Sequence, residues 1–519
     1  MAAGSHCLAV LCLLLASGCS VRPAASDYPR TPSYTMTDTA GTTLGRAYGR
    51  AEKAHAGESG FHILPSGPEA LMTRIALVQA AQKSIDMQYY STEEDTTGKL
   101  FLEAILRAAA RGVRVRMLLD DWNLDDFEKG AVALDANPHI AIRVFNPYST
   151  RSQSWLERIG NVFSYLGPFT HRMHNKALIV DNEVAIMGGR NLGDEYFDAG
   201  KEMNFRDVDV FAAGPVTRRI SANFDRYWNS DEAFPLAMLN LPPADADSTA
   251  TMHQAMREHW QEIGRSAVGK RLNRLPLPLK AKNGGIPLVW AKAELAADNP
   301  VKVEQAGDDT TSMPAERIRQ LADAAQHEFI IFTPYFVPLD EGVEWLTDMV
   351  RRGVRVRIVT NSLASTDVVP AQAGYGHYRE ALVKGGVELY ELKSLLAKPP
   401  VKSMFKPSSQ NGLHAKIYMV DRHDLVIGSF NLDPRSIKLN TEQVLVIHSP
   451  ELGESVARLF EDVTSPASSY HVTQTEDGSL VWETEEGGKK ATFDFNPHAG
   501  FVRRVTNALF SLLPLDDQL

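Results

Sequence analysis

The chain has 519 residues, of which 44% are hydrophobic, 23% charged and 8% aromatic; these globular proportions exclude disordered, collagenous and coiled-coil classes and leave room for two to four domains at about 150 residues each. Its 54 Lys and Arg against 64 Asp and Glu give a formal charge of −10, which argues against a dedicated nucleic-acid partner, since phosphate backbones ask for a basic footprint. The three cysteines, Cys7, Cys12 and Cys19, all precede residue 20, so the body has neither a disulfide framework nor a cysteine-based metal site.

Taken in chain order, residues 7–16 (CLAVLCLLLA) are an apolar run too short to span a bilayer but suited to the core of a signal peptide. The run ends in Ala16-Ser17-Gly18-Cys19, small residues before a cysteine, as in a bacterial lipoprotein leader. Residues 1–19 therefore read as a lipoprotein signal whose Cys19 is acylated, anchoring the mature chain to a membrane surface. That implies the periplasmic side of the cell envelope, with Ser20 favouring the outer membrane. Residues 20–50 begin with a stretch rich in Pro, Ser, Thr, Ala and Gly (20–45) and read as a flexible tether. No later run of 18 apolar residues is present in the sequence.

From there the sequence repeats itself. Ala80-Ala81-Gln82-Lys83 echoes Ala324-Ala325-Gln326-His327. Arg111-Gly112-Val113-Arg114-Val115-Arg116 recurs as Arg352-Gly353-Val354-Arg355-Val356-Arg357. His174-Asn175-Lys176 matches His414-Ala415-Lys416, and Gly188-Gly189-Arg190-Asn191 matches Gly428-Ser429-Phe430-Asn431. Four matches in order, at offsets of 244, 241, 240 and 240, identify a duplicated unit. Within each copy, alternating or continuous apolar strands (Ile85, Met87 and Tyr89; VRVRMLLDD; ALIVD) are interleaved with helical periodicity (KLFLEAILRAAARG, stopped by Gly112). The prediction is α/β, a mixed sheet flanked by helices. Unit 1 spans 60–228 and unit 2 spans 313–465. Residues 229–312, with NLPPAD and RLPLPLK, read as an inter-unit insertion of loops, and 466–519 as a C-terminal extension with an amphipathic helix.

The chemistry concentrates in the two copies of His-x-Lys-x4-Asp followed by Gly-small-x-Asn, residues 174–191 and 414–431. Histidine and lysine two apart at the start of a strand share a face. Imidazole beside ammonium, followed by an Asn amide and small residues, suits a phosphate. Histidine serves as nucleophile, acid or base near neutrality. Gly189 stands where the second copy has Ser429, removing one hydroxyl donor.

This motif pair resembles the phospholipase D superfamily. Within it the chain is most similar to the bacterial cardiolipin synthases, the C type above all, through LLDDWN, RVFNPYS, RMHNKALIVDNEVAIMGGRNLGDEYF, IPLVWAK, TNSLASTDVVPAQAGY, GVELYELK, GSFNLDPRS and SLLP, which together run from about residue 60 to the end. The resemblance implies two pseudo-twofold-related units whose histidines share one active site. It implies His174 as nucleophile forming a phosphohistidine and His414 as acid/base. Lys176, Lys416, Asn191 and Asn431 would hold the non-bridging oxygens. Carboxylates would orient the histidines: Glu442 for one, and Asp207 for the other if a five-residue insertion is allowed, Glu202 if not. Asp181 and Asp421 complete the catalytic motifs and are more structural than chemical in the family. No cofactor or metal is required, because Lys and Asn supply the charge stabilisation.

The expected activity is transfer of a phosphatidyl group from one phospholipid, with phosphatidylethanolamine as a candidate donor, to phosphatidylglycerol. Transfer to water, a superfamily phosphodiesterase and a non-enzymatic lipid-binding lipoprotein are the competing readings. The sequence does not speak to oligomeric state. His171 reads as a surface or supporting residue, and Asp120 and Asp121 as a strand-end turn with solvated carboxylates. The aromatic segment 151–172 (Trp155, Phe163, Tyr165, Leu166, Phe169) and the basic segment 392–412 (Lys393, Lys398, Lys402, Lys406) suit either a lipid surface or, respectively, a hairpin packed on the core and a solvated loop. The C-terminal helix, with Phe501, Val502, Val505, Leu509, Leu512 and Leu513 at helical spacing, reads as core-packing in preference to membrane contact.

Overall fold

The apolar runs in both copies form strands whose two faces are buried. In a computed structural model, which describes residues 30–124, 127–147, 171–243, 245–266, 269–270, 287–305, 311–394 and 410–518, the first half contains β1 (Ser59–Leu64), β2 (Ser84–Tyr89), β3 (Arg114–Asp120), β4 (Ile140–Phe145), β5 (Ala177–Val180), β6 (Val184–Gly188), β7 (Met203–Arg206), β8 (Asp209–Ala213) and β9 (Ala233–Pro235). The second half contains β10 (Val289–Ala297), β11 (Glu328–Phe332), β12 (Arg355–Asn361), β13 (Glu388–Leu392), β14 (Gln410–Leu413), β15 (Ile417–Val420), β16 (Asp424–Gly428), β17 (Gln443–His448), β18 (Ser469–Gln474), β19 (Leu480–Glu486) and β20 (Lys489–Phe493).

Unit 1 is ordered β4-β3-β2-β5-β6-β8-β1, parallel across β2-β3-β4 and antiparallel elsewhere. Unit 2 is ordered β13-β12-β11-β15-β16-β17-β10 with the same pattern of directions. The duplication is thus repeated strand for strand. Antiparallel pairing of β1 with β10 joins the two halves into one sheet.

Along β5, Leu178 and Val180 face the core of unit 1, while Ala177 and Ile179 enter a second core that also takes Ile427 and Leu445 of unit 2. Period-two alternation with both faces apolar is what a strand covered on both sides needs. The shared core is sealed by helices Pro215–Trp228 and Pro450–Thr464, through Ile220, Phe224, Val456 and Phe460.

Three expectations are corrected here. Residues 229–312 are not only loops: they contain a helix, Ala246–Arg265, and β10, the strand that links the sheets. The polar residues in VWAKAELAA hid it, because β10 is only partly covered. Residues 30–45 are not a free tether. Ser33 and Thr35 donate backbone N–H groups to Asn229 and Asp225, and Arg116, Arg114 and Arg143 reach the carbonyls of Ser33, Tyr34 and Thr31. Small polar residues carry little apolar surface, but their extended backbone is satisfied by long side chains of unit 1. Helix Thr43–Ala54 follows at once, burying Leu44 and Tyr48.

The C-terminal helix, Phe501–Phe510, is the third correction: none of its residues is buried. Cys19, Ser20, most of segment 151–172, and Lys398, Lys402 and Lys406 lie outside the described residues. Lys393 donates to the carbonyls of Pro466 and Glu485 and so does not face solvent.

Candidate active site

The motif strands end in turns that fix their register. Asp181 and Asp421 adopt left-handed backbone conformations (φ 51° and 49°). The Asp181 carboxylate accepts the backbone N–H groups of Gln82, Lys83 and Ser84, and Asp421 those of Gln326, His327 and Glu328. Each therefore pins its hairpin to the neighbouring strand and contacts neither His174 nor His414; of the six residues of the two motifs, these two are structural.

At the other end of the strands the histidines meet across the duplication. The His174 backbone N–H donates to the Thr441 carbonyl at 2.9 Å and that of His414 to Arg206 at 2.8 Å, while β7 and β14 pair in parallel. Consequently each carboxylate serves the histidine of the opposite unit. The Nδ1 of His174 lies 3.0 Å from both Glu442 oxygens, and that of His414 lies 2.6 Å from Asp207 Oδ2. Asp207 is the residue the five-residue insertion selected. A carboxylate on Nδ1 fixes the tautomer with hydrogen there and leaves the Nε2 lone pair for chemistry. His174 Nδ1 also faces the Ser429 carbonyl at 3.0 Å, and the Ser429 hydroxyl donates to Glu442.

Burial, followed by the charges of Lys176 and Lys416, holds both histidines well below their ordinary range. The shift favours the neutral ring, the form that attack at phosphorus and proton abstraction require. Burial pushes Glu442 up to about 7 against the pull of Lys176, and brings Lys416 down to about 8 despite Asp207 and Glu442. Lys176 is also lowered by burial. Two buried groups of opposite sign, Glu442 and Lys416, thus sit near neutrality beside a strongly shifted lysine and two strongly shifted histidines, a concentration typical of catalytic centres. Each lysine donates to the carbonyl of its own histidine at 2.6 Å, which leaves further N–H donors on each ammonium. Asn191 donates to the Tyr196 hydroxyl at 2.9 Å, and Asn431 is buried beside Ser436, to which its backbone N–H donates.

Several supporting residues were not singled out from sequence. Asp120 was expected to be solvated. Instead it is buried, as is Asp121, which was expected to be solvated with it; Asp120 accepts the Met173 backbone N–H at 2.7 Å and contacts Arg172, setting the chain just before His174. Its repeat counterpart, Asn361, accepts the Leu413 N–H at 2.7 Å just before His414. The repeat offset of 241 links the two positions, so aligning MLLDDW with IVTNSL was the available signal. Tyr90 stacks edgewise on His174 and lies under the Lys176 ammonium, while Tyr196 and Tyr335 present edges to His414. Arg190 donates to the Asp207 and Tyr196 carbonyls. His171 is buried, with Nδ1 2.9 Å from the Val303 carbonyl, in a supporting position. Two groups of metal-capable side chains occur among the described residues, His423-Asp424-His448 and Glu93-Asp95-Glu195, and neither includes a motif residue.

The missing hydroxyl at Gly189 has a steric reason. A Cβ there would stand 2.4 and 2.7 Å from the two Asp207 carboxylate oxygens. Gly189→Ala is therefore expected to push Asp207 off His414 and lower kcat by up to about 10²-fold, the cost of misplacing a catalytic group by roughly 1 Å. Steady-state kinetics with a thermal melt checks this; an unchanged kcat would mean that Asp207 does not position His414.

Comparisons with known proteins agree with this geometry. The family model described as "Cardiolipin synthase, PLD-like domain" matches residues 75–228 and 318–464. The chain is 35% identical over 475 residues to cardiolipin synthase C of Escherichia coli (strain K12), covering 89% of this chain and 96% of that one. It is 25% identical over 396 residues to cardiolipin synthase B of Shigella flexneri, covering 76% and 78%. Among solved structures, the phosphatidylserine synthase of Haemophilus influenzae Rd KW20 superposes with a TM-score of 0.56 at 15% identity, over 92% of this chain and 100% of that one, a likeness of fold.

Proposed function

The chain belongs to the phospholipase D-like family of cardiolipin synthases, and from that premise we propose that it makes cardiolipin by moving a phosphatidyl group from one phospholipid to the headgroup hydroxyl of phosphatidylglycerol. The observation that carries this reading is the crossed arrangement of two buried histidines, each held at Nδ1 by a carboxylate of the other unit, beside two buried lysines. That arrangement suits a two-step displacement at phosphorus.

In the first step Nε2 of His174 attacks the phosphorus of the donor diester. A P–N bond forms, the P–O bond to the headgroup breaks, and the departing oxygen takes the Nε2 proton of His414, which enters this step as the imidazolium left by the second step of the preceding turnover, paired with Asp207. In the second step His414 removes the proton of the incoming hydroxyl, whose oxygen displaces His174 and restores the diester. Each imidazolium that appears in turn is stabilised by the carboxylate at its Nδ1. Lys176 and Lys416 meet the negative charge growing on the non-bridging oxygens, and because they are already buried they do so without reorganising solvent. Asn191 and Asn431 complete the phosphate cradle. Phosphatidylethanolamine or a second phosphatidylglycerol would supply the phosphatidyl group.

Cys19 acylation would place the enzyme on the periplasmic side of the cell envelope. In support, the described chain is already bound to the body of the protein at Arg30, ten residues after Ser20, a span of at most about 36 Å when fully extended.

The test is incubation of purified protein with vesicles of labelled phosphatidylglycerol, with and without phosphatidylethanolamine, followed by lipid mass spectrometry. Labelled cardiolipin with release of glycerol or ethanolamine is expected. Phosphatidic acid in its place would establish a hydrolase, and no change in lipid would overturn the reading.

A further inference from the structure

We infer that the C-terminal helix is a lipid-docking surface that lays the mouth of the active site on the bilayer. The inference rests on the proposed phospholipid substrate for the class of partner, but on separate residues.

Among the described residues, ten large apolar side chains stand exposed, and seven of them fall between 495 and 513: Phe495, Phe501, Val502, Val505, Leu509, Leu512 and Leu513. At about 100° per residue Phe501, Val502, Val505 and Leu509 fall within roughly 100° of the helix circumference, and Leu512 and Leu513 follow in the turn just beyond its end. Single exposed apolar residues are ordinary on a soluble protein, but a contiguous stripe is not.

The segment that carries the stripe is tied on two sides to residues that flank the catalytic centre. Arg503, on the opposite face, donates to the carbonyls of Leu363, Ala364 and Thr366. The next residue, Asp367, accepts the Tyr335 hydroxyl at 2.8 Å, and the Tyr335 ring presents its edge to His414. On the other side, Arg435 reaches the Gln518 carbonyl, and its charge is felt by His174. Helix Val369–Lys384 fixes the segment through His377 and Tyr378, both of which contact Asp516. The helix therefore cannot swing away from the site without breaking these contacts.

The apolar stripe, Arg504 beside it over the Phe495 ring and the adjoining phosphodiester site fit one occupant. Acyl chains would meet Phe501, Val502, Leu509 and Leu512, while the headgroup enters between the histidines. An interfacial helix of this kind lies in the plane of the bilayer with its apolar face among the acyl chains.

The test uses the full chain carrying Cys7→Ser, Cys12→Ser and Cys19→Ser, so that Leu509→Cys supplies the single thiol for an environment-sensitive fluorophore; Arg319→Cys, on the exposed side of helix Met313–Asp323, is the control. Vesicles of phosphatidylglycerol and phosphatidylethanolamine should shift emission to the blue and brighten it at 509 and not at 319. The variant Phe501→Ser/Val502→Ser/Leu509→Ser/Leu512→Ser should lose at least about tenfold in turnover of vesicle lipid, since burial of such side chains drives interfacial binding. It should hydrolyse the soluble diester bis(p-nitrophenyl) phosphate at the parent rate, which also shows that it is folded. Unchanged emission at 509 while vesicle lipid is turned over would overturn the docking surface and leave the proposed function standing. Brightening that follows protein concentration in the absence of vesicles would assign the face to a second copy and overturn it equally. Brightening on vesicles without any lipid product would support the surface and overturn the proposed function.

Discussion

Replacement of either His174 or His414 by alanine is expected to lower turnover by at least about 10²–10⁴-fold, from loss of proton transfer alone. The double variant should be little worse than either single one. The reason is geometric. The Nδ1 of His174 is held by Glu442 from unit 2, and that of His414 by Asp207 from unit 1. Each lysine charge acts on both rings. Removing one histidine therefore disables a single centre, and groups that act as a unit lose their effects non-additively. Steady-state rates for the three variants measure this. Additive losses would mean two independent sites and would contradict the crossed carboxylate pairing. Because both rings lie in a densely packed pocket, thermal melts should accompany the kinetics to show that the cavities left by the rings have not unfolded the units.

The second large effect separates the two histidines. With a p-nitrophenyl phosphodiester, whose leaving group departs without a proton, His414→Ala is expected to give a burst of nitrophenolate and to accumulate a phosphohistidine on His174. The first displacement needs only the neutral ring, which burial and the two lysines already enforce. The second needs His414 to deprotonate the acceptor. His174→Ala should give neither burst nor adduct. Mass spectrometry of peptides spanning 173–190 and 413–422, handled without acid, locates the modification. An adduct on His414 would exchange the two roles and keep the two-step chemistry. The absence of any adduct alongside normal parental turnover would sink the covalent route.

The chemistry was legible in the sequence wherever it is local. His174 with Lys176 and His414 with Lys416 share a strand face because the strand period is two. The repeat offset announced two α/β units, and the strand order bears this out. Asp207 was reachable because the insertion preceding it left DVDVF in register with EQVLV, the strand that pairs with its neighbour in each unit. What failed was inference about coverage. Polar residues 30–45 read as loose, yet their backbone is satisfied by arginines more than 75 residues away in sequence. The carboxylate of Asp120 read as solvated, yet it is buried under the segment that carries His174.

The sequence by itself determined the duplicated α/β units and the paired histidines and lysines, and it narrowed the orienting carboxylates to Glu442 and to Asp207 or Glu202; the fold decided for Asp207. Only the tertiary structure decided that those carboxylates cross between units, that β10 joins the two sheets, and that the apolar stripe of the C-terminal helix faces outward. The physical reason is that motif geometry and amphipathic period are set by a few consecutive bonds, whereas partner and burial depend on which surfaces meet when the two units close. Glu442 and His174, 268 positions apart, come together only through the pairing of Met173 with Thr441 across that closure. A helix can carry an apolar face in its sequence, but what covers that face is decided by its neighbours in the fold.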